Sequence, residues 1–183
     1  MFKINYRITT AQEELKHLSK YDIDIKGCVQ GYFQLEVNNK KYGYINKGEL
    51  RGDEHGFEFI FDWFEGLLAV LIELKKGTRL VNLNEIESYN TWVEFKYLKN
   101  EMICISIVEA EKDGAGLLET RPLSKISYRD WSNEVVSYHA ISCEVITQAN
   151  EYLQFLSQLN KEFLKSNRFL RLKNMITQFN TSA

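Results

Sequence analysis

His139 and Cys143 are the first pair in this sequence whose types and spacing could do chemistry. They stand four residues apart in a stretch of helical periodicity, so both can project from one helix face toward a metal ion. Zinc takes four ligands, however, and the remaining histidines, His17 and His55, stand alone. The pair therefore reads as a semi-buried histidine near a buried thiol. A cysteine nucleophile needs a cationic neighbour or a helix N-terminus to lower its pKa. Cys104 sits between Ile103 and Ile105, which predicts an inert core thiol, and Cys28 and Cys143 have no local activating group. No catalytic residue, metal site or cofactor is expected.

Carboxylates are the one titratable type that clusters. Between Glu49 and Glu65 there are six acids and one base. Glu58 and Asp62, at i and i+4, could hold a divalent ion, but a solvated helix face whose acids favour the positive end of the helix dipole is the simpler reading. A protein partner is better supported, because Phe57, Phe59 and Trp63 are interleaved with the acids and supply rings for a contact surface. A second acidic group, Glu109, Glu111, Asp113 and Glu119, surrounds Gly114-Ala115-Gly116. That loop lacks the lysine and the strand-to-helix setting of a phosphate-binding loop, and its acids repel phosphate. The candidate partner-binding set is Asp53, Glu54, Phe57, Glu58, Asp62, Trp63 and Glu65, followed by Glu109, Glu111 and Asp113. The first segment is favoured, because a helix holds acids in fixed register whereas a loop must be ordered on binding. Lys165 to Lys173 reads as the wet face of a last helix.

The elements that must position these residues follow from periodicity. Phe2 to Ile8 alternates as a half-buried strand, and Thr10 to Lys20 suggests one or two helical turns. Gly31 to Ile45 reads as a hairpin turning at Asn38-Asn39-Lys40-Lys41. Phe57 to Lys76 steps in threes and fours and ends at Gly77, the mark of a helix. Val81 to Asn84 is a short strand. Trp92–Tyr97 and Met102–Val108 form a second hairpin, with Trp92, Glu94 and Lys96 on one face and Val93, Phe95 and Tyr97 on the other. Leu117 to Ile126 suggests one more strand. From Ser127, with Asp130 near its start, a long helical pattern runs to Leu159, as one helix or two. Phe163 to Phe179 is the last amphipathic stretch. Together these predict an α+β fold: an antiparallel sheet of about five or six strands, with one central and two C-terminal helices packed on it.

The chain has 183 residues, a length that fits a single domain over 1–183 with no need of a disulfide or metal staple. Twenty-four aromatic residues and a net charge of -2 exclude intrinsic disorder. With 23 basic against 25 acidic residues there is no global field for phosphate, so no direct nucleic-acid partner is expected. The longest apolar run, Leu67 to Ile72, is far below the roughly 20 residues of a membrane span. Three cysteines at unrelated spacings and no signal-peptide pattern suggest a cytoplasmic address.

The layout resembles a family type. It combines a hairpin over Val37–Asn46, a helix Phe-Asp-Trp-Phe-Glu-Gly-Leu-Leu from Phe61 ending Leu-Lys-Lys-Gly at Gly77, and a second hairpin. A long C-terminal helical run follows, from Trp131-Ser-Asn-Glu-Val to Leu-Ser-Gln-Leu-Asn160. This is similar to the small α+β immunity proteins of bacterial polymorphic-toxin and contact-dependent inhibition systems. The resemblance implies a non-enzymatic protein. It would neutralise a cognate toxin C-terminal domain, such as a nuclease, by stoichiometric occlusion of its active site or substrate surface. The competing readings are a cytosolic ligand-binding or regulatory domain and an enzyme of unassigned class.

Overall fold

The computed structural model describes residues 1–25, 29–50, 56, 58–85, 90–111, 116–129 and 131–181. The fold is α+β, but its strands divide between two antiparallel sheets where the sequence suggested one. In the four-stranded sheet, β2 (Gln30–Val37) is central. It pairs with β1 (Phe2–Ile8) on one side, and with both β3 (Lys40–Gly43) and β4 (Glu58–Phe59) on the other. The six-stranded sheet contains β5 (Leu80–Asn84), β6 (Thr91–Tyr97), β7 (Met102–Glu111), β8 (Leu118–Glu119), β9 (Ser124–Tyr128) and β10 (Glu134–Ser137). Its order is β8-β5-β6-β7, and β10 and β9 follow one another along the far edge of β7.

The helix between the two groups of strands explains the division. Helix α3 (Ile60–Lys75) buries residues around most of its circumference, including Phe61, Trp63, Phe64, Leu67, Leu68, Val70 and Leu71. A helix apolar on all sides needs cover on all sides, which one sheet face cannot give. It packs against β2 of one sheet, β5 of the other, and helices α4 (Tyr138–Leu159) and α5 (Asn167–Thr181). Gly66 permits the close approach to β5, since a Cβ there would stand 2.7 Å from Leu83 Cδ1. Two short helices, α1 (Gln12–His17) and α2 (Lys20–Ile25), precede β2, and a 3-10 turn, Phe163–Lys165, joins α4 to α5.

Both hairpins form where expected. Asn38 and Asn39 turn the first at φ 50° and 70°, and Asn100 and Glu101 the second at φ 58° and 56°. Gly77 ends α3 at φ 95°. Three boundaries differ. Helix α3 begins at Ile60 because Glu58–Phe59 pairs with Gln30–Gly31 as β4. The Leu117–Ile126 region holds β8 and the start of β9. Helix α4 starts at Tyr138, capped by Ser137, whose Oγ accepts from Ala140 N. The residues before it form β10, and Ser127 lies in β9. A four-residue strand running straight into a helix contributes Val135 at a helix-like spacing from Tyr138, which extends the apparent helical pattern N-terminally.

One core unites both sheets and the helices. Phe33 stacks on Trp63 at 4.9 Å and 4°, and Tyr152 of α4 meets Phe61, Phe64 and Tyr6. The first hairpin's turn latches onto the second sheet. Asn38 Nδ2 donates to Glu134 Oε2 and Val135 O, and Lys40 pairs with Glu134 at 2.8 Å. Lys40 and Asn38 hold the Glu134 carboxyl below its usual range.

Candidate functional site

The two acidic segments separate in the fold. On α3, Asp62 and Glu65 face α5, where Asp62 meets Arg168 at 3.2 Å and Glu65 meets Arg171 at 3.1 Å. The basic stripe of α5 is thus not wholly wet, since two of its arginines neutralise α3. Trp63 is 3% exposed and belongs to the core, so it offers no surface ring. Asp53, Glu54, Phe57 and Asp113 lie outside the described residues.

Glu58 and Glu109, from different acidic segments, instead line one seam between the sheets. Glu58 sits on β4, where its Oε2 accepts from Trp63 Nε1 at 2.5 Å. Glu85 follows β5 directly, and its N–H donates to Thr91 O at 3.0 Å. Glu109 lies on β7 between Thr91 and Ser127, and its carboxylate takes the guanidinium of Arg129. Arg129 is fixed by its backbone N–H to Ile107 O, and Trp131 by its carbonyl accepting from Ile107 N. Tyr42 reaches in from β3, its ring 6.3 Å from that of Trp131.

The carboxylates of the seam act on Tyr42 and on Arg129. Burial raises the Tyr42 phenol well above its ordinary range; Glu85 and Glu58 add to the rise and Arg129 opposes it. The Arg129 guanidinium is held more firmly charged by its hydrogen bond to Glu109, and it senses Tyr42 and Glu85 as well. The seam therefore brings Glu109 and Glu85 to Arg129, and Glu85 and Glu58 to Tyr42. Among the described residues the buried Trp131 Nε1 meets no acceptor at hydrogen-bond distance. Glu111 lies beyond the seam, paired with Lys125 at 2.6 Å. Such a surface attracts cations and can seat a basic side chain.

Tyr42, Glu85, Arg129 and Trp131 were not legible as site residues, because each reaches the seam through a different strand or loop. Their only common signal is strand register, which single-sequence periodicity does not give. The other reactive candidates stay apart. Cys104 is buried, and burial raises its thiol pKa. Cys143 is exposed rather than buried, with Sγ 3.5 Å from His139 Nε2 on the surface of α4. Among the described residues no three His, Cys, Asp or Glu side chains gather as metal ligands would. Two of the cavities among the described residues are small. One, of about 190 Å³, is lined by Trp92, Glu119, Arg121 and Leu123; the other, of about 250 Å³, lies over the α3–α5 ion pairs. Both are smaller than the roughly 300 Å³ at which small-molecule pockets begin. Comparison with protein-family models, curated proteins and solved structures returns no match.

Proposed function

We propose that this chain is a bacterial immunity protein that acts in the cytoplasm by stoichiometric binding of a cognate toxin C-terminal domain. The observation that carries the reading is the acidic seam, where Glu109 and Glu85 act on Arg129 and Glu85 and Glu58 act on Tyr42 beside it. A nuclease cleft must be basic to hold phosphate, and carboxylates fixed between two sheets complement it in the way phosphates would. The resemblance in layout to immunity proteins supports the same reading. Among the described residues no helix is long and apolar enough to cross a membrane, which agrees with a protein that meets its partner away from the bilayer.

The test is a pull-down followed by calorimetry with the C-terminal domain of a large secreted protein encoded in an adjacent reading frame. A one-to-one complex is expected, and Glu109→Lys should weaken it by about tenfold or more. Absence of a complex with that domain would overturn the proposal. A complex indifferent to Glu109→Lys would keep the function and move the interface elsewhere.

A further inference from the structure

A row of polar side chains crosses the outer face of the six-stranded sheet. Asn82, Glu94 and Ser106 are direct cross-strand partners on β5, β6 and β7, and they are 1%, 4% and 1% exposed. Burial of a carboxylate on an outer sheet face calls for strong compensation. Among the described residues Glu94 receives two polar contacts, from Lys96 Nζ at 3.4 Å and from Tyr128 Oη at 3.4 Å. Both are at the long limit of hydrogen bonding, and both fall on Oε1. Among the described residues Oε2 receives none.

Asn82 supplies an independent observation. Its Nδ2 donates to Glu119 O at 3.2 Å and to Arg121 O at 3.1 Å, on the β8 side, which fixes the orientation of the carboxamide. With its nitrogen committed to β8, the carboxamide has only its oxygen left to offer, and Glu94 is the direct partner of Asn82 on β6. Oδ1 is buried and has no hydrogen-bond partner. The row thus holds an acceptor without a donor beside a carboxylate that is only half engaged. Two adjacent acceptors, one of them anionic, match the paired N–H groups of a guanidinium better than a single ammonium.

We propose that this row is a socket for one arginine side chain of a protein partner, plugged in the free protein by Lys96. The lysine side chain is 45% exposed and reaches the carboxylate only at 3.4 Å, so a guanidinium can displace it. Around the socket the face exposes Tyr128 at 50% and Val135 at 41%, an aromatic and an aliphatic surface that suit the stem and plane of an arginine. Ser106 and Glu109 are an odd number of residues apart on β7 and so point to opposite faces of the sheet. The socket is therefore separate from the acidic seam and does not rest on the immunity reading.

Titrating the full chain with a tri-arginine peptide, while following the Glu94 carboxyl carbon and the Tyr128 ring by NMR, tests the proposal. Saturable shifts of both signals are expected, with tri-lysine several-fold weaker. Removing the plug by Lys96→Met should tighten binding, and Glu94→Gln should weaken it, each on the order of tenfold. Lys96 is half-exposed, so its variant remains informative should Glu94→Gln fold poorly. Shifts that are absent, or equal for the two peptides, or unaffected by Lys96→Met would overturn the socket. A water held between Asn82 Oδ1 and Glu94 predicts the first of those results.

Discussion

Glu58 and Glu65 belong to the same acidic segment, yet the fold gives them opposite surroundings. At the seam between α3 and α5, Asp62 and Glu65 each meet an arginine, so the negative charge of the helix is neutralised within the molecule. At the seam between the sheets, Arg129 pairs with the half-exposed Glu109 and senses Glu85, while Glu58 and Glu85 act on Tyr42. Charge density along the chain measures how much acid a segment carries. Whether that charge faces a partner depends on where distant basic residues land. The helical seam is a structural contact, and the inter-sheet seam is the surface with charge to offer.

The sharpest way to break this comparison is at Trp63, which stands between the two seams. Its ring stacks on Phe33 and its Nε1 holds Glu58. If Trp63 is a core residue that aims Glu58, Trp63→Ala should cost about 3–5 kcal/mol in urea unfolding. Trp63→Phe should cost about 1 kcal/mol beyond its volume change, since it deletes the hydrogen bond. A loss below about 1 kcal/mol for the alanine variant would return Trp63 to the surface, where the sequence had placed it.

That misplacement shows what a single sequence can and cannot reveal here. The hairpin turns were legible because Asn38-Asn39 and Asn100 are locally suited to positive φ. The central helix was legible because its apolar residues recur at helical spacing. The same spacing hid its environment: an apolar stripe that wraps the helix looks, in sequence, like a stripe with rings to spare. The division into two sheets, the strand β10 and the acidic seam all depend on pairings between residues far apart in the chain. Glu109 meets Arg129 only because β9 lies along β7, and Tyr42 meets Trp131 only because the first hairpin latches onto β10.

A smaller effect sharpens the helical side. Burial raises the Glu65 carboxyl pKa; Arg171 opposes the rise and Asp62 adds to it. A carboxyl with a raised folded pKa contributes stability that is fully present below its unfolded pKa and is lost as pH rises through the folded value. The charged form at neutral pH is therefore a net cost, despite the ion pair. Glu65→Gln should raise stability at pH 7 by on the order of 1 kcal/mol. The gain should close as pH falls below the ordinary carboxylate range, where the wild-type side chain is itself neutral. A destabilised Gln variant at neutral pH would show that Arg171 outweighs desolvation, and the helical seam would then be a source of stability rather than a tolerated burial.

The smallest effect on stability is expected at Glu109, where the contrast between the seams is most direct. Its carboxylate and the Arg129 guanidinium have side chains 44% and 52% exposed, so solvent screens their attraction and both can remain hydrated when separated. Glu109→Gln should change unfolding stability by less than about 0.5 kcal/mol. Its consequence should fall on recognition instead. Removing this carboxylate lowers the field that draws a basic partner, so association with the proposed toxin partner should slow and depend less steeply on salt, with dissociation altered less. A stability loss well above that bound, with unchanged association, would make Glu109 a structural anchor of the kind Asp62 is. The two seams would then differ in position but not in role.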